Sequence, residues 1–226
     1  MDQRATKPKK SKKRQYNIDT RERLIKVAEK LFSQQGYSAT SLRQITTEAK
    51  VNIALVHYHF ESKANLFMEV YMRCGKALIT ERIRLLDEAE KIADKKPIPI
   101  EDIIKAFFMP ALYMMTDRSG SGKNYVRLAT RLHNEPSKLA KAVLSKVFDA
   151  STVRFIEAIQ KSLPKLAAED VYWRLFFMIG VFIYTVSDSG RLEAISKGKC
   201  SSNNFDEAIK QITPFLVAGF NTPALK

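Results

Sequence analysis

The stretch "VNIALVHYHFESK", residues 51–63, sets two histidines and two aromatic rings in four consecutive positions, His57-Tyr58-His59-Phe60. Four roles suit such a cluster: a metal site, a catalytic site, a piece of core, or a surface that meets a large polar partner. The flanking sequence separates them. Val56 and Phe60 stand four apart, on one side of a short helix over residues 53–59 that Asn52 can cap. Just upstream, "SLRQITTEA" places Leu42, Ile45 and Ala49 on one side of another short helix, 41–48, with Thr40 before it as N-cap. "KVN" breaks the two apart.

Two short helices joined by a tight turn and flanked by longer ones form a helix-turn-helix pattern. The expected buried set is Leu42, Ile45, Ala49, Val51, Val56 and Phe60, closing on Leu31 and Phe32. That leaves Ile53, Ala54, Leu55, His57 and Tyr58 with outward-facing atoms. A face this aromatic and apolar is unusual without a partner. DNA accounts for it: a short helix enters the major groove, Tyr and His donate to phosphates, and aliphatic side chains touch thymine methyls. The bland alternative is a small helical subdomain with ordinary exposed aromatics.

Other chemistries find little support. Zinc-binding histidines on a helix stand four apart, whereas His57 and His59 diverge by about 200° and have no Cys, Asp or third His within a turn. "GSGK" at 120–123 lacks the first glycine and the final Ser/Thr of a phosphate-binding loop, since Asp117 and Asn124 occupy those positions. It reads as an inter-helix loop. No nucleophile motif such as G-x-S-x-G occurs, so neither an enzyme nor a cofactor is expected.

Outward from this stretch the periodicity is helical. A first helix begins near Asp19, with Glu22 placed for a capping box, and carries Leu24, Val27, Ala28, Leu31 and Phe32 until Gly36 stops it. Glu61-Ser62 caps a fourth helix, "KANLFMEVYMRCGKALITERIRLLDEAE", interrupted in pattern by Gly75. Longer, greasier helices follow over 99–116, 123–133, 137–162, 168–189 and 204–220, with Pro110 and Pro214 expected to kink or interrupt two of them. The fold class is all-α. The expected domains are a disordered basic tail over 1–16, a helix-turn-helix module over 17–67 and a larger helical body over 68–226.

Of 226 residues, 45% are hydrophobic and 27% charged, a globular composition with a net charge of +14. Such charge suits a polyanion, either nucleic acid or an anionic membrane. The first 16 residues carry seven Lys/Arg against one Asp, so nearly half the excess sits in the tail, where it either solubilises or adds phosphate contacts. The longest apolar run, "LFFMIGVFIYTV" at 175–186, is too short to span a bilayer. No secretory signal is apparent, and Cys74 and Cys200 stand far apart. The chain reads as cytoplasmic and not membrane-bound.

With these residues in view, residues 20–70 resemble the TetR family of bacterial transcription regulators, through "RERLIKVAEKLFSQQGYSATSLRQITTEAKVNIALVHYHFESKANLF". The matching features are Gly36-Tyr37 after the first helix, Thr40-Ser41 at the second, the turn Lys50-Val51-Asn52, the aromatic-rich third helix, and Phe60-x-Ser62-Lys63. The resemblance implies that Ser41 and Lys63 grip phosphates and that His57 stands where a phosphate-binding tyrosine is usual. It places Arg43, Ile53, Ala54, Leu55 and Tyr58 facing bases, with Asn52 capping the recognition helix beside the backbone. Three departures stand out. Lys50 replaces the turn glycine, at a cost on the order of 1 kcal/mol if its backbone is left-handed. His57 shortens the reach to phosphate, and Leu55 replaces a small or hydroxyl residue.

The resemblance further implies a homodimer, a palindromic double-stranded operator, and a body that binds a small apolar effector, so that the protein is a ligand-responsive regulator and most simply a repressor. The expected pocket draws on Phe107, Phe108, Met109, Tyr113 and Met114 in one helix and Phe177, Met178 and Tyr184 in another. The expected dimer face uses the helices over 168–189 and 204–220, through Tyr172, Leu175, Phe176, Ile179, Phe182, Ile183 and Val186 in the first and Ile209, Ile212, Leu216 and Phe220 in the second. The rival is a basic helical adaptor on anionic membrane or partner proteins.

Overall fold

A computed structural model describes the backbone of residues 9–116, 121–133, 137–187 and 190–223. Over these residues the chain forms ten α-helices and no strand. They are α1 (Lys9–Ala39), α2 (Leu42–Ala49), α3 (Ile53–Phe60), α4 (Lys63–Ala93), α5 (Ile100–Thr116), α6 (Ser121–His133), α7 (Lys138–Ser162), α8 (Ala168–Val186), α9 (Arg191–Ile195) and α10 (Phe205–Asn221). None is long and apolar enough to cross a membrane. The chain divides into two compact units, Met1–Tyr71 and Met72–Lys226.

The first unit has the helix-turn-helix order α1–α2–α3 and the opening of α4. Its core is the stripe read from α1, with Leu24, Ala28, Leu31 and Phe32 buried beside Ile45, Ala49, Val56 and Phe60. Leu42 and Val51, expected in that set, are half-buried. Phe67 stands edge-on to both Phe32 and Tyr37, each at 4.9 Å between ring centroids. Ion pairs tie the outer surfaces: Lys30 to Glu48 and Arg21 to Glu69, both at 2.7 Å.

One boundary differs from the sequence expectation. Residues 9–16 continue α1 as helix where an unstructured tail is expected, and residues 1–8 lie outside the described part. Lys, Arg and Gln are good helix formers, and extending an anchored helix avoids the cost of nucleation. At its other end Gly36 leaves helical geometry at φ 82°, and only a short turn follows to Ala39.

The second unit is built around α5, which is buried along most of its length. Neither Pro110 in α5 nor Pro214 in α10 interrupts its helix. Phe107 meets Phe155 and Phe182 edge-on at 5.3 and 5.6 Å, and Phe108 meets Phe182 at 5.6 Å, joining α5, α7 and α8. Gly75 is explained by close approach: a Cβ there would lie 2.6 Å from Val147 Cγ1 on α7. Arg154 of α7 clamps α4 through Asp87 at 2.8 Å and Glu90 at 3.0 Å, holding the Glu90 carboxyl below its ordinary range.

The late helices need a correction. Phe182 and Leu216, expected at a dimer face, are buried in this unit's own core, as are Leu175, Val186 and Phe220. Tyr172 and Phe176 of the expected face do lie on the outward side of α8, beside Trp173, Phe177 and Tyr184, and Phe215 is exposed on α10. Trp173 stacks on Phe177 at 5.9 Å and meets Phe176 at 6.2 Å. Arg174 joins the two helices by donating from Nη1 to the Phe220 and Gly219 carbonyls at 2.6 and 3.2 Å, which satisfies backbone groups at the end of α10.

Candidate nucleic-acid interface and body cavity

Capping fixes where α2 and α3 begin. Ser41, not Thr40, is the N-cap of α2: its hydroxyl accepts from the Gln44 N–H at 3.1 Å, and the Gln44 carboxamide accepts from the Ser41 N–H at 2.7 Å. The box requires Glu or Gln three residues after the cap, which Ser41 has and Thr40 lacks. Thr40 is buried and donates to the Gly36 carbonyl at 2.7 Å. Ser41 keeps its own hydroxyl hydrogen for an outside acceptor.

The turn after α2 is a Schellman closure. Lys50 is left-handed at φ 53°, ψ 49°, its N–H reaches the Thr47 carbonyl at 3.2 Å, and the Val51 N–H reaches Thr46 at 3.0 Å. A lysine here bears the strain that a glycine avoids. Lys50→Gly is therefore expected to stabilise the protein by about 0.5–1 kcal/mol in urea unfolding, the relief of strain being partly offset by glycine's freer unfolded chain. A loss of stability would mean that the Lys50 side chain contributes more than its backbone costs.

Asn52 caps α3, its side-chain oxygen accepting from the Ala54 N–H at 2.8 Å. Val56 and Phe60 are buried, and the residues between them point elsewhere. Tyr58 is 70% exposed and Ile53 46%. Ser41, Arg43, Asn52, Ala54 and His57 are also exposed, while Leu55 and Lys63 are half-buried.

The two histidines have different surroundings. His57 Nδ1 lies 3.0 Å from the Glu61 carbonyl, so donation there leaves Nε2 as the outer atom, a donor only when the ring is protonated. His59 packs against Tyr58 at 4.9 Å and buries its Nε2 without a hydrogen-bond partner among the described residues. Burial, and then the Arg21 charge, lower its pKa and favour a neutral ring. Among the described residues no group of three His, Cys, Asp or Glu is placed to hold a metal.

α3 leads into α4 through a strained turn. Glu61 has φ 65°, ψ −43°, and the Ser62 N–H bonds back to the Phe60 carbonyl at 2.7 Å, a tight three-residue turn. Ser62 then caps α4, accepting from the Asn65 N–H at 3.1 Å. Lys63 Nζ lies 4.3 Å from the centre of the Tyr37 ring, which holds the ammonium over an aromatic face. In the sequence Tyr37 marks only the end of a helix; its support of Lys63 is a tertiary contact.

In the second unit a cavity of about 240 Å³ lies among α4, α5, α6, α7 and α8. Of the residues expected to form a pocket, it uses only Phe107. Phe108 and Met178 are buried in the core. Met109 and Tyr113 border a separate groove of about 340 Å³ beside the start of α10. Met114 is half-buried and lines none of these spaces, and Phe177 and Tyr184 are on the outer side of α8. The difference has a simple cause: α5 is apolar nearly all round, so residue type does not mark the side that faces a cavity.

Arg82 lines this cavity, as does Asp149, and neither is among the expected pocket residues. Arg82 is fully desolvated, and burial pushes its guanidinium down to about 10. Its Nε donates to the Phe107 carbonyl at 2.8 Å, and the guanidinium carbon lies 3.7 Å from the Phe107 ring centre and 5.0 Å from that of Phe182. Nη2 is buried with no hydrogen-bond partner among the described residues. Leu78, Arg82 and Leu86 recur at four-residue spacing, so an arginine on an apolar stripe was the available signal.

Comparison with known proteins places both units. Residues 24–70 match the tetR family of bacterial regulatory proteins, and residues 105–219 match the tetracyclin repressor-like C-terminal domain. The regulator AcrR of Shigella flexneri is 42% identical over 60 residues, covering 26% of this chain and 28% of its own length. IcaR of Staphylococcus aureus, a negative regulator of a biofilm operon, is 22% identical over 199 residues, 87% of this chain and 98% of its own. Among solved structures, a transcriptional regulator from Aquifex aeolicus superposes with a TM-score of 0.57 at 20% identity, covering 87% of this chain and 99% of its own. The hemolysin II regulator HlyIIR gives a TM-score of 0.54 at 19% identity, covering 92% and 99%. With its N-terminal helix-turn-helix and half of its length in the matching C-terminal domain, the chain belongs to the tetR family of bacterial regulatory proteins.

Proposed function

We propose that this protein is a DNA-binding transcriptional regulator, a repressor that leaves a palindromic operator when a small effector occupies the body cavity. The observation that carries this reading is α3: a capped helix anchored by Val56 and Phe60, with Tyr58, Ile53, Ala54 and His57 turned outward. Ser41, Lys63 and His57 would hold phosphates, while Arg43, Ile53, Ala54, Leu55 and Tyr58 would meet base edges and methyls.

One such helix covers only a few base pairs, so specificity needs two copies about one helical turn apart. The exposed aromatics of α8, with Phe215 of α10, supply an apolar face suited to a second copy of this chain. Effector binding would favour a dimer whose recognition helices no longer match successive grooves. The covalent link is α4, which begins at Lys63 and contains Arg82.

The test contrasts two residues. Tyr58→Ala is expected to lose about 1–3 kcal/mol of binding to a preferred duplex and little on random DNA. Lys63→Ala is expected to weaken all duplexes alike and to lower the salt slope by about one unit per subunit. Equal losses for Tyr58→Ala on preferred and random DNA would remove it from sequence readout.

A further inference from the structure

Arg82 gives the cavity a chemical preference. A charged group taken out of water is costly unless it is paired. Arg82 is fully buried and remains charged at neutral pH, yet no carboxylate pairs with it among the described residues. The Phe107 carbonyl and two aromatic faces satisfy part of the guanidinium and leave Nη2 unmatched in a residue that lines the cavity. The remaining lining is largely aliphatic and aromatic, including Leu78, Val126, Leu144, Ile179 and Ile183. Asp149 also lines the space; its carboxylate accepts from Ser145 at 2.5 Å and makes no ion pair with Arg82 among the described residues. His133 is a second polar group there; its Nδ1 donates to the Ala129 carbonyl at 2.8 Å, leaving Nε2 as the ring atom for a ligand.

We propose that the cavity takes a small amphipathic organic anion, its acidic head on Arg82 Nη2 and its apolar body among the aliphatic residues. This deepens the effector reading above and rests on it. An anion there gains charge-assisted hydrogen bonds from a donor that has already lost its water, so the head group should outweigh the tail in selecting the ligand. A space of about 240 Å³ is small for a ligand site, which suits a short acyl chain or a single ring system rather than a large polycyclic compound.

The test uses the full chain and four probes with one shared tail: octanoate, octyl phosphate, octan-1-ol and octylamine, followed by calorimetry. Octanoate or octyl phosphate, or both, should bind about tenfold or more tightly than the alcohol, and the amine weakest; which anion wins identifies the head group. Arg82→Met keeps an apolar stem of similar reach and removes the charge. It should abolish the advantage of the anions over the alcohol while leaving the melting temperature equal or higher, as removal of an unpaired buried charge allows. If that variant does not fold, the head-group ranking in the unaltered protein still decides. Equal binding of alcohol and anions, or binding of none of the four, overturns the proposal. Anion binding that leaves DNA affinity unchanged would keep the anion site and refute the effector reading instead.

Discussion

Trp173→Glu combined with Phe176→Glu is expected to yield a folded monomer that binds its operator about 10²–10⁴-fold more weakly, the advantage that linking two binding events provides. Trp173 is 61% and Phe176 64% exposed, so carboxylates there cost the isolated chain little. Across a two-fold interface the same substitutions would place four carboxylates in an apolar contact, with no water and no cation to meet them. Sedimentation with circular dichroism reads both halves of the result. Helical content should hold while the mass halves. A dimer that persists with both glutamates would move the interface off the outer side of α8.

Phe182→Ala is expected to act differently although it lies on the same helix. Phe182 is buried against Phe107 and Phe108, each at 5.6 Å, and lies beneath the Arg82 guanidinium. Removing the ring should cost about 3–5 kcal/mol, a large share of the ~5–15 kcal/mol that holds a domain together. Urea unfolding at fixed protein concentration measures it, since assembly contributes to apparent stability. Unchanged stability with loss of the dimer would return Phe182 to the interface.

These two substitutions also show what the sequence could and could not convey. The helix-turn-helix was readable because its signals are local: apolar residues three and four apart, Asn52 before α3, and a turn bounded by Ala49 and Asn52. Even the left-handed Lys50 could be anticipated from its place in the turn. α8 carries no such local signal. It is apolar on both sides, and periodicity alone does not separate a side packed on its own core from one turned outward. Hence Phe182, expected at the dimer face, packs in the core, while Tyr172 and Phe176 of the same expected face point outward.

The cavity was still less legible. Its lining gathers from five helices, and most of its members are ordinary core residues by type. Phe107 was found because aromatics are conspicuous, whereas Arg82 reads as another surface charge among Glu81, Arg84 and Asp87. The Leu78–Arg82–Leu86 stripe marks only the inward side of α4; that α5 and α8 close over it is a matter of tertiary packing. The helical start of α1 at Lys9 belongs to the same class, because a polar stretch continues a helix only when a folded neighbour has already nucleated it.

On the proposed function, two copies of α3 read DNA from one dimer. Selecting bound duplexes from a random pool, with the purified full chain at physiological salt, shows whether they do. The expected product is an inverted repeat whose half-sites are centred about one helical turn, 10–10.5 base pairs, apart, and whose enrichment disappears in Tyr58→Ala. Recovery of no preferred sequence, or of one that Tyr58→Ala enriches equally well, would contradict α3 as the reading helix.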